Sequence, residues 1–220
     1  VIPLKNDVPL GRFPSVTLAL IVANVAVFLW ELTVWPAAIQ VFGAVPWRIM
    51  VRGYSPGGLP PVLTLLTAMF LHGGFLHLAG NMLFLWIFGP NVEDRLGHVG
   101  YLAFYLFCGL LAGVAQVLAA PASKVPMVGA SGAIAAVLGA YLLLFPRSRV
   151  LTLVFLVIIF RLIYLPAVLF LGVWFVLQLV SLPEGSSGGV AFAAHVGGFL
   201  AGMILVWVFG ASRPASRMAF

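Results

Sequence analysis

The chain is expected to be all-α: one polytopic membrane domain over residues 1–220, with six spanning helices. Three observations predict this. Of the 220 residues, 63% are hydrophobic and only 7% are charged, more apolar surface than a soluble domain of that size can hide. The apolar residues fall into runs of helix length, punctuated by proline, glycine and charge. The basic residues are scattered at the ends of those runs, where lipid headgroups would meet them.

The first run gives a span over 16–35, with no small-residue cleavage site behind it, so it is read as a true span and not as a signal peptide. The chain begins on Val, and a few residues are expected to precede it. The stretch 36–71 is broken by Pro36, Pro46, Pro56, Pro60 and Pro61. It also carries Trp35, Trp47, Ile49, Met50 and Tyr54 beside Arg48 and Arg52, so it is expected to lie in the membrane interface on the outer side. Further spans are expected over 73–94, 99–119 and 131–145, the last stopping at Pro146. The run 150–181 is 32 residues long, too long for one span, and Arg161 and Pro166 divide it. The fifth span is therefore placed at 165–181, with 147–164 as a cytoplasmic-side or interfacial segment. Pro183 to Gly189 reads as a flexible loop, and the sixth span covers 191–209.

With the N-terminus inside, Lys5, Arg12, Arg95, Arg147, Arg149, Arg161, Arg213 and Arg217 fall on the cytoplasmic side, and Arg48, Arg52 and Lys124 fall outside. Eight against three predicts cytoplasmic termini. The net charge of +6 is spread along the chain, which suits anionic lipid and not nucleic acid, for which a clustered basic patch is expected. The single cysteine, Cys108, has no partner for an internal disulfide and reads as a buried packing residue.

Four polar residues lie inside apolar runs: His77, Asn81, Ser131 and His195. Polar groups in hydrocarbon are costly and mark candidate sites. Ser131 lies 14 residues from the end of the fourth span and His195 lies 14 from the end of the sixth. At about 1.5 Å per residue this is about 21 Å, which leaves both roughly 9 Å below the outer boundary of a ~30 Å hydrocarbon core. His77 and Asn81 are four apart and share a helix face. Gly129, Gly132, Gly198 and Gly202, with Ala130, Ala136, Gly139 and Ala194, make small faces that let helix backbones touch.

A serine hydroxyl needs a base to become a nucleophile, and His195 is the candidate. The five acids, Asp7, Glu31, Glu93, Asp94 and Glu184, all lie near span ends or in loops, so a Ser131–His195 dyad is expected and not a triad. Asn81, His77 and the Ser131 N–H are candidate oxyanion donors. Taken singly, each has a plainer reading. A serine in a small-residue helix is usually packing, an intramembrane histidine is more often structural or a proton relay, and an asparagine bonds between helices. His72 reads as structural, and His98 as a solvated residue of a cytoplasmic turn. Their coincidence in the outer half favours hydrolysis within the membrane.

Taken in order, these residues resemble the rhomboid family of intramembrane serine proteases, bacterial type, over roughly 14–210. The matching pieces are His72-x4-His77-x3-Asn81, Gly129-Ala-Ser131-Gly132, and Ala194-His195-x-x-Gly198-x3-Gly202, with Asn91-Val-Glu-Asp-Arg-Leu-Gly97 between them. The resemblance implies a six-helix bundle with a water-filled cavity open to the outside. It implies Ser131 as nucleophile, His195 as general base, and His77 and Asn81 at the oxyanion, with no metal and no cofactor. Substrates would be transmembrane helices of other membrane proteins, cut near their outer ends at small residues. Some members have an aromatic residue one turn after the serine, packed on the histidine; here it is Ala135, so the sequence does not name what holds His195. Some also carry Trp-Arg about 14 residues before the histidine matching His77, where this chain has Leu63-Thr64; its Trp47-Arg48 lie earlier. The expected setting is a bacterial cytoplasmic membrane, with the lipid bilayer and substrate helices as partners. Two rival classes are a catalytically inactive protein that binds membrane segments on the same scaffold, and a transporter using the polar residues as a path.

Overall fold

The structure is a computed structural model that describes residues 2–51, 56–156, 159–183 and 190–210. Arg52, Tyr54, Glu184, the stretch 184–189, Arg213 and Arg217, on which the sequence reading also drew, lie outside the described residues.

The chain is mostly helical. Three helices are long and apolar enough to cross a membrane: α1 (Ser15–Val34), α5 (Phe75–Leu96) and α6 (His98–Ala119). Three more are apolar but shorter, at 14 residues each: α7 (Ser131–Leu144), α8 (Ala167–Val180) and α9 (Phe192–Leu205). Fourteen residues of helix rise only about 21 Å, less than a ~30 Å hydrocarbon core. All six overlap the expected stretches, but α8 and α9 are shorter than expected. Pro166 precedes α8, and after Leu205 the chain continues as turns to Gly210. Conversely α5 runs on past Pro90 to Leu96. Proline lacks an N–H, so the ladder opens there; the neighbouring Ile87 carbonyl accepts a hydrogen bond from Asn6 Nδ2 at 2.5 Å.

The stretch 36–71 is not plain loop. It folds into α2 (Ala37–Phe42), α3 (Pro46–Met50), α4 (Thr64–Thr67) and two 3-10 turns, Pro61–Leu63 and Ala68–Phe70. Two backbone hydrogen bonds link Ala44 and Met127, and the Trp47 N–H donates to Ser123 O, so this segment is stitched to the α6–α7 connection. Lys124 Nζ sits 5.3 Å from the Trp47 ring centroid.

The all-α expectation is corrected by a three-stranded antiparallel sheet in the order β1 (Ile2–Asn6), β2 (Arg149–Leu156), β3 (Ile159–Pro166). Strand β2 pairs with β1 through Ile2↔Leu153 and Asn6↔Val150, and with β3 through Arg149↔Pro166 and Leu156↔Ile159. The segment expected to be interfacial is thus largely a hairpin. Its Val, Ile, Phe and Tyr content favours strand, and a continuous apolar run shows no period that separates strand from helix.

At the centre stands α7, buried at every residue from Gly132 to Tyr141. Around it pack Leu85, Phe88 and Val92 of α5, Tyr101, Tyr105 and Cys108 of α6, and Phe199 of α9. Outer faces stay apolar and exposed, as at Val22, Leu29 and Leu32 of α1 and Leu169, Val173, Val176 and Val180 of α8. Such faces suit lipid and not water. Glu93 joins α5 to the start of α1: its carboxylate accepts the Val16 and Thr17 N–H groups at 2.8 and 2.7 Å and the Thr17 hydroxyl at 2.6 Å. His98, expected to be solvated, keeps about half of its side chain exposed and also pairs with Glu93 at 2.7 Å.

The α7–α9 seam is made of glycines. A Cβ on Gly198 would run into the Gly132 carbonyl, one on Gly202 into the Ala136 carbonyl, and one on Gly139 into the Phe199 carbonyl. Gly202→Ala is therefore expected to destabilise the protein by about 1–3 kcal/mol through overpacking, read as a lower melting temperature in detergent. Gly172→Ala on α8, whose Cβ meets nothing within 4 Å, should leave stability unchanged or raise it by up to about 1 kcal/mol.

Candidate functional site

Ser131 is the first residue of α7, so its backbone N–H is among those that a helix leaves without an internal acceptor. The turn before it needs Gly129, whose φ is +124° and whose Cβ, if present, would lie 2.8 Å from both Cε1 and Nε2 of His77. The Gly129 N–H donates to Ala68 O at 2.8 Å, which anchors this turn to the segment preceding α5.

His195 is the fourth residue of α9. The start of that helix is pinned from α6, where Gln116 Oε1 accepts the Ala194 N–H at 3.2 Å. The glycine seam then draws α9 against α7, and His195 Nε2 comes to 2.8 Å from Ser131 Oγ. The other ring nitrogen, Nδ1, lies 2.8 Å from Oε1 of Gln178 on α8. Trp174 and Phe192 flank the imidazole, at centroid distances of 6.0 and 6.2 Å.

His77 and Asn81 stand one turn apart on α5 and face the Gly129 turn. The Gly73 N–H donates to His77 Nδ1 at 3.3 Å, which places the ring proton on Nε2, the atom nearest Gly129. Asn81 Nδ2 is buried and has no hydrogen-bond partner among the described residues. His72 is fully buried behind this pair, its ring edge-on to His77 at 5.2 Å and its backbone N–H donating to Glu31 Oε2 at 3.0 Å.

A cavity of about 40 Å³ opens beside Ser131, lined by small residues and methionines that include Gly109, Ala112, Gly129, Met127 and Ala194. It is the size of a water or a small side chain. Among the described residues no group of three or more His, Cys, Asp or Glu side chains could hold a metal ion. A hydroxyl against an imidazole, with amide and imidazole donors across a small gap, can carry out nucleophilic addition to a carbonyl and stabilise the resulting oxyanion.

Sequence reasoning missed Gln178 and Gln116. Each is the lone amide in a long apolar run, the same signal that singled out Asn81. It also left Glu31 as an end-of-span acid, whereas the structure buries it completely.

Residues 60–212 match the family described as Rhomboid domain. Rhomboid protein 1, mitochondrial, of Saccharomyces cerevisiae is 29% identical over 210 residues, covering 90% of this chain and 54% of the yeast protein. Rhomboid-like protein 11, chloroplastic, of Arabidopsis thaliana is 31% identical over 182 residues, covering 76% of this chain and 60% of the plant protein. Presenilin-associated rhomboid-like protein, mitochondrial, of Homo sapiens is 29% identical over 195 residues, covering 86% of this chain and 42% of the human protein. The chain thus spans about half the length of these curated relatives.

Proposed function

The chain belongs to the rhomboid family of integral membrane proteins, and within it we propose that this protein is an intramembrane serine endopeptidase working through Ser131 and His195. Members of the family are in general serine proteases, and some are inactive. The observation that carries the reading is the 2.8 Å approach of Ser131 Oγ to His195 Nε2, made by residues 64 positions apart.

In the reaction, Ser131 Oγ adds to the carbonyl carbon of the scissile peptide as its proton passes to His195 Nε2. The carbonyl oxygen becomes an oxyanion that faces the Ser131 N–H, His77 Nε2–H and Asn81 Nδ2. The buried Asn81 Nδ2, which has no hydrogen-bond partner among the described residues and lies beside the Gly129 turn, supports this role. Collapse of the intermediate expels the amine, which takes the proton from His195, and leaves an ester on Ser131. A water deprotonated by His195 then hydrolyses the ester and regenerates the hydroxyl.

The substrate class is the transmembrane segment of another membrane protein, cut near its outer end. A helix shields its own carbonyls by hydrogen bonding, so the segment must unwind locally before attack. The cavity of about 40 Å³ beside Ser131 supports small residues at the cut. On this reading the six apolar helices span the membrane, with both termini cytoplasmic and the site opening outward. The eight-to-three distribution of basic residues supports that orientation. A transporter is disfavoured because α7 is apolar and buried from Gly132 to Tyr141, which leaves no polar path along it.

Ser131→Ala and His195→Ala should each lower cleavage of a model single-span substrate by at least about three orders of magnitude, with melting temperatures near that of the parent. Full activity in either purified variant would exclude the dyad. An alkyl fluorophosphonate should label Ser131 in the parent and not in Ser131→Ala; an unlabelled parent would point to an inactive membrane-segment binder. Asn81→Ala and His77→Ala should reduce kcat by up to about 10²–10³-fold while KM changes little, as expected for donors used mainly in the transition state.

A further inference from the structure

We propose that Gln178 of α8 is the positioning residue that holds His195 in the tautomer able to act on Ser131. The proposal rests on the protease reading of the Ser131–His195 pair and supplies the group that orients the base.

For His195 Nε2 to accept the serine proton it must carry a lone pair, so the ring proton must sit on Nδ1. A proton on Nδ1 needs an acceptor in the plane of the ring. Gln178 Oε1 is 2.8 Å from Nδ1. A glutamine amide can turn either its oxygen or its NH2 toward a neighbour, and only the oxygen selects the useful tautomer. The choice is made one turn back on the same helix, where Gln178 Nε2 donates to the Trp174 carbonyl at 3.2 Å. A carbonyl can only accept, so the NH2 must face it. Turning the amide over would set two acceptor oxygens against each other at Trp174 and present an NH2 to Nδ1. Carbonyl, amide, imidazole and hydroxyl thus form one chain whose direction the Trp174 carbonyl sets.

The four acids among the described residues make their hydrogen bonds elsewhere. Asp7 accepts from the Arg149 N–H, Glu31 from the His72 N–H, Glu93 from the start of α1, and Asp94 from the Gly11 N–H. None is left to serve as the carboxylate of a triad. A neutral amide performs the orienting half of that role without placing a second charge in a low-dielectric site, where an unpaired carboxylate is expensive. Trp174 and Phe192 also lie beside the ring, the first tilted at 37° and the second edge-on at 89°.

The test uses the full-length protein with Gln178→Leu, Gln178→Met and Gln178→Glu, and two readouts. On a quenched fluorogenic single-span peptide, Gln178→Leu and Gln178→Met should lose about 10²-fold in kcat, the scale of a misplaced catalytic group, with KM within about twofold of the parent. Gln178→Glu, which accepts from Nδ1–H only while its carboxyl is ionised, should recover part of the loss at high pH and less of it as the pH falls. In 15N-histidine NMR, with the His195 signals assigned by subtraction of His195→Gln, the parent should show the Nδ1–H tautomer and Gln178→Met should show a shift toward Nε2–H. Parental kcat in Gln178→Met at an unchanged melting temperature would overturn the proposal, as would an unchanged tautomer whatever the activity. The NMR arm needs no turnover, so a parent that shows the Nδ1–H tautomer but cleaves nothing would refute the protease reading while leaving the orienting contact intact.

Discussion

Between α7 and α9 there are almost no side chains. Gly132, Ala136 and Gly139 on one helix meet Gly198, the Phe199 carbonyl and Gly202 on the other, and the backbones touch directly. Ordinary helix pairs stand about 8–10 Å apart, set by the side chains between them. A seam of glycines lets two helices stand closer than this. The glycine seam removes the gap, and that removal places Ser131 Oγ within 2.8 Å of His195 Nε2. The other faces of α7 carry larger side chains, Ile134, Val137, Leu138 and Tyr141 among them, and are buried in the core shared with α5 and α6.

Polar groups in this apolar interior do two kinds of work. Glu93 accepts two backbone amides and a hydroxyl of α1 and pairs with His98, so one carboxylate caps a helix and ties it to another. Asn6 and Asn91 do the same between the sheet and α5, through Asn6 Nδ2 to Asn91 Oδ1 at 2.7 Å and Asn91 Nδ2 to Val8 O at 3.1 Å. These groups are satisfied and hold the fold. Other buried polar atoms have no hydrogen-bond partner among the described residues, including both His72 ring nitrogens, Glu31 Oε1 and Asn81 Nδ2, and of these Asn81 Nδ2 lies against the Gly129 turn.

Helix location was legible because apolar runs of fixed length with proline and glycine between them leave few choices. The Ser131 end of α7 and the Pro146 stop are both visible as punctuation in the chain. The hairpin was not legible, because residues 150–166 carry no period and β1, the partner strand, lies in the first residues of the sequence. His98 is exposed, as expected of a turn residue, but its pairing with Glu93 across the turn between α5 and α6 was not legible. The Gln178–His195 contact was not legible, because it joins α8 to α9 and no local spacing in the chain relates the two residues.

The sequence by itself determined the membrane class, the order of the helices, and the set of polar residues available for chemistry, because composition, run length and glycine spacing are local properties of the chain. The tertiary structure decided which of those polar groups meet and in which hydrogen-bonding sense. Ser131, His195 and Gln178 lie on three helices, and Gln178 turns its oxygen to His195 only because the Trp174 carbonyl takes its NH2. Such a sense of donation depends on distances between separate helices, and those distances are set when backbones pack.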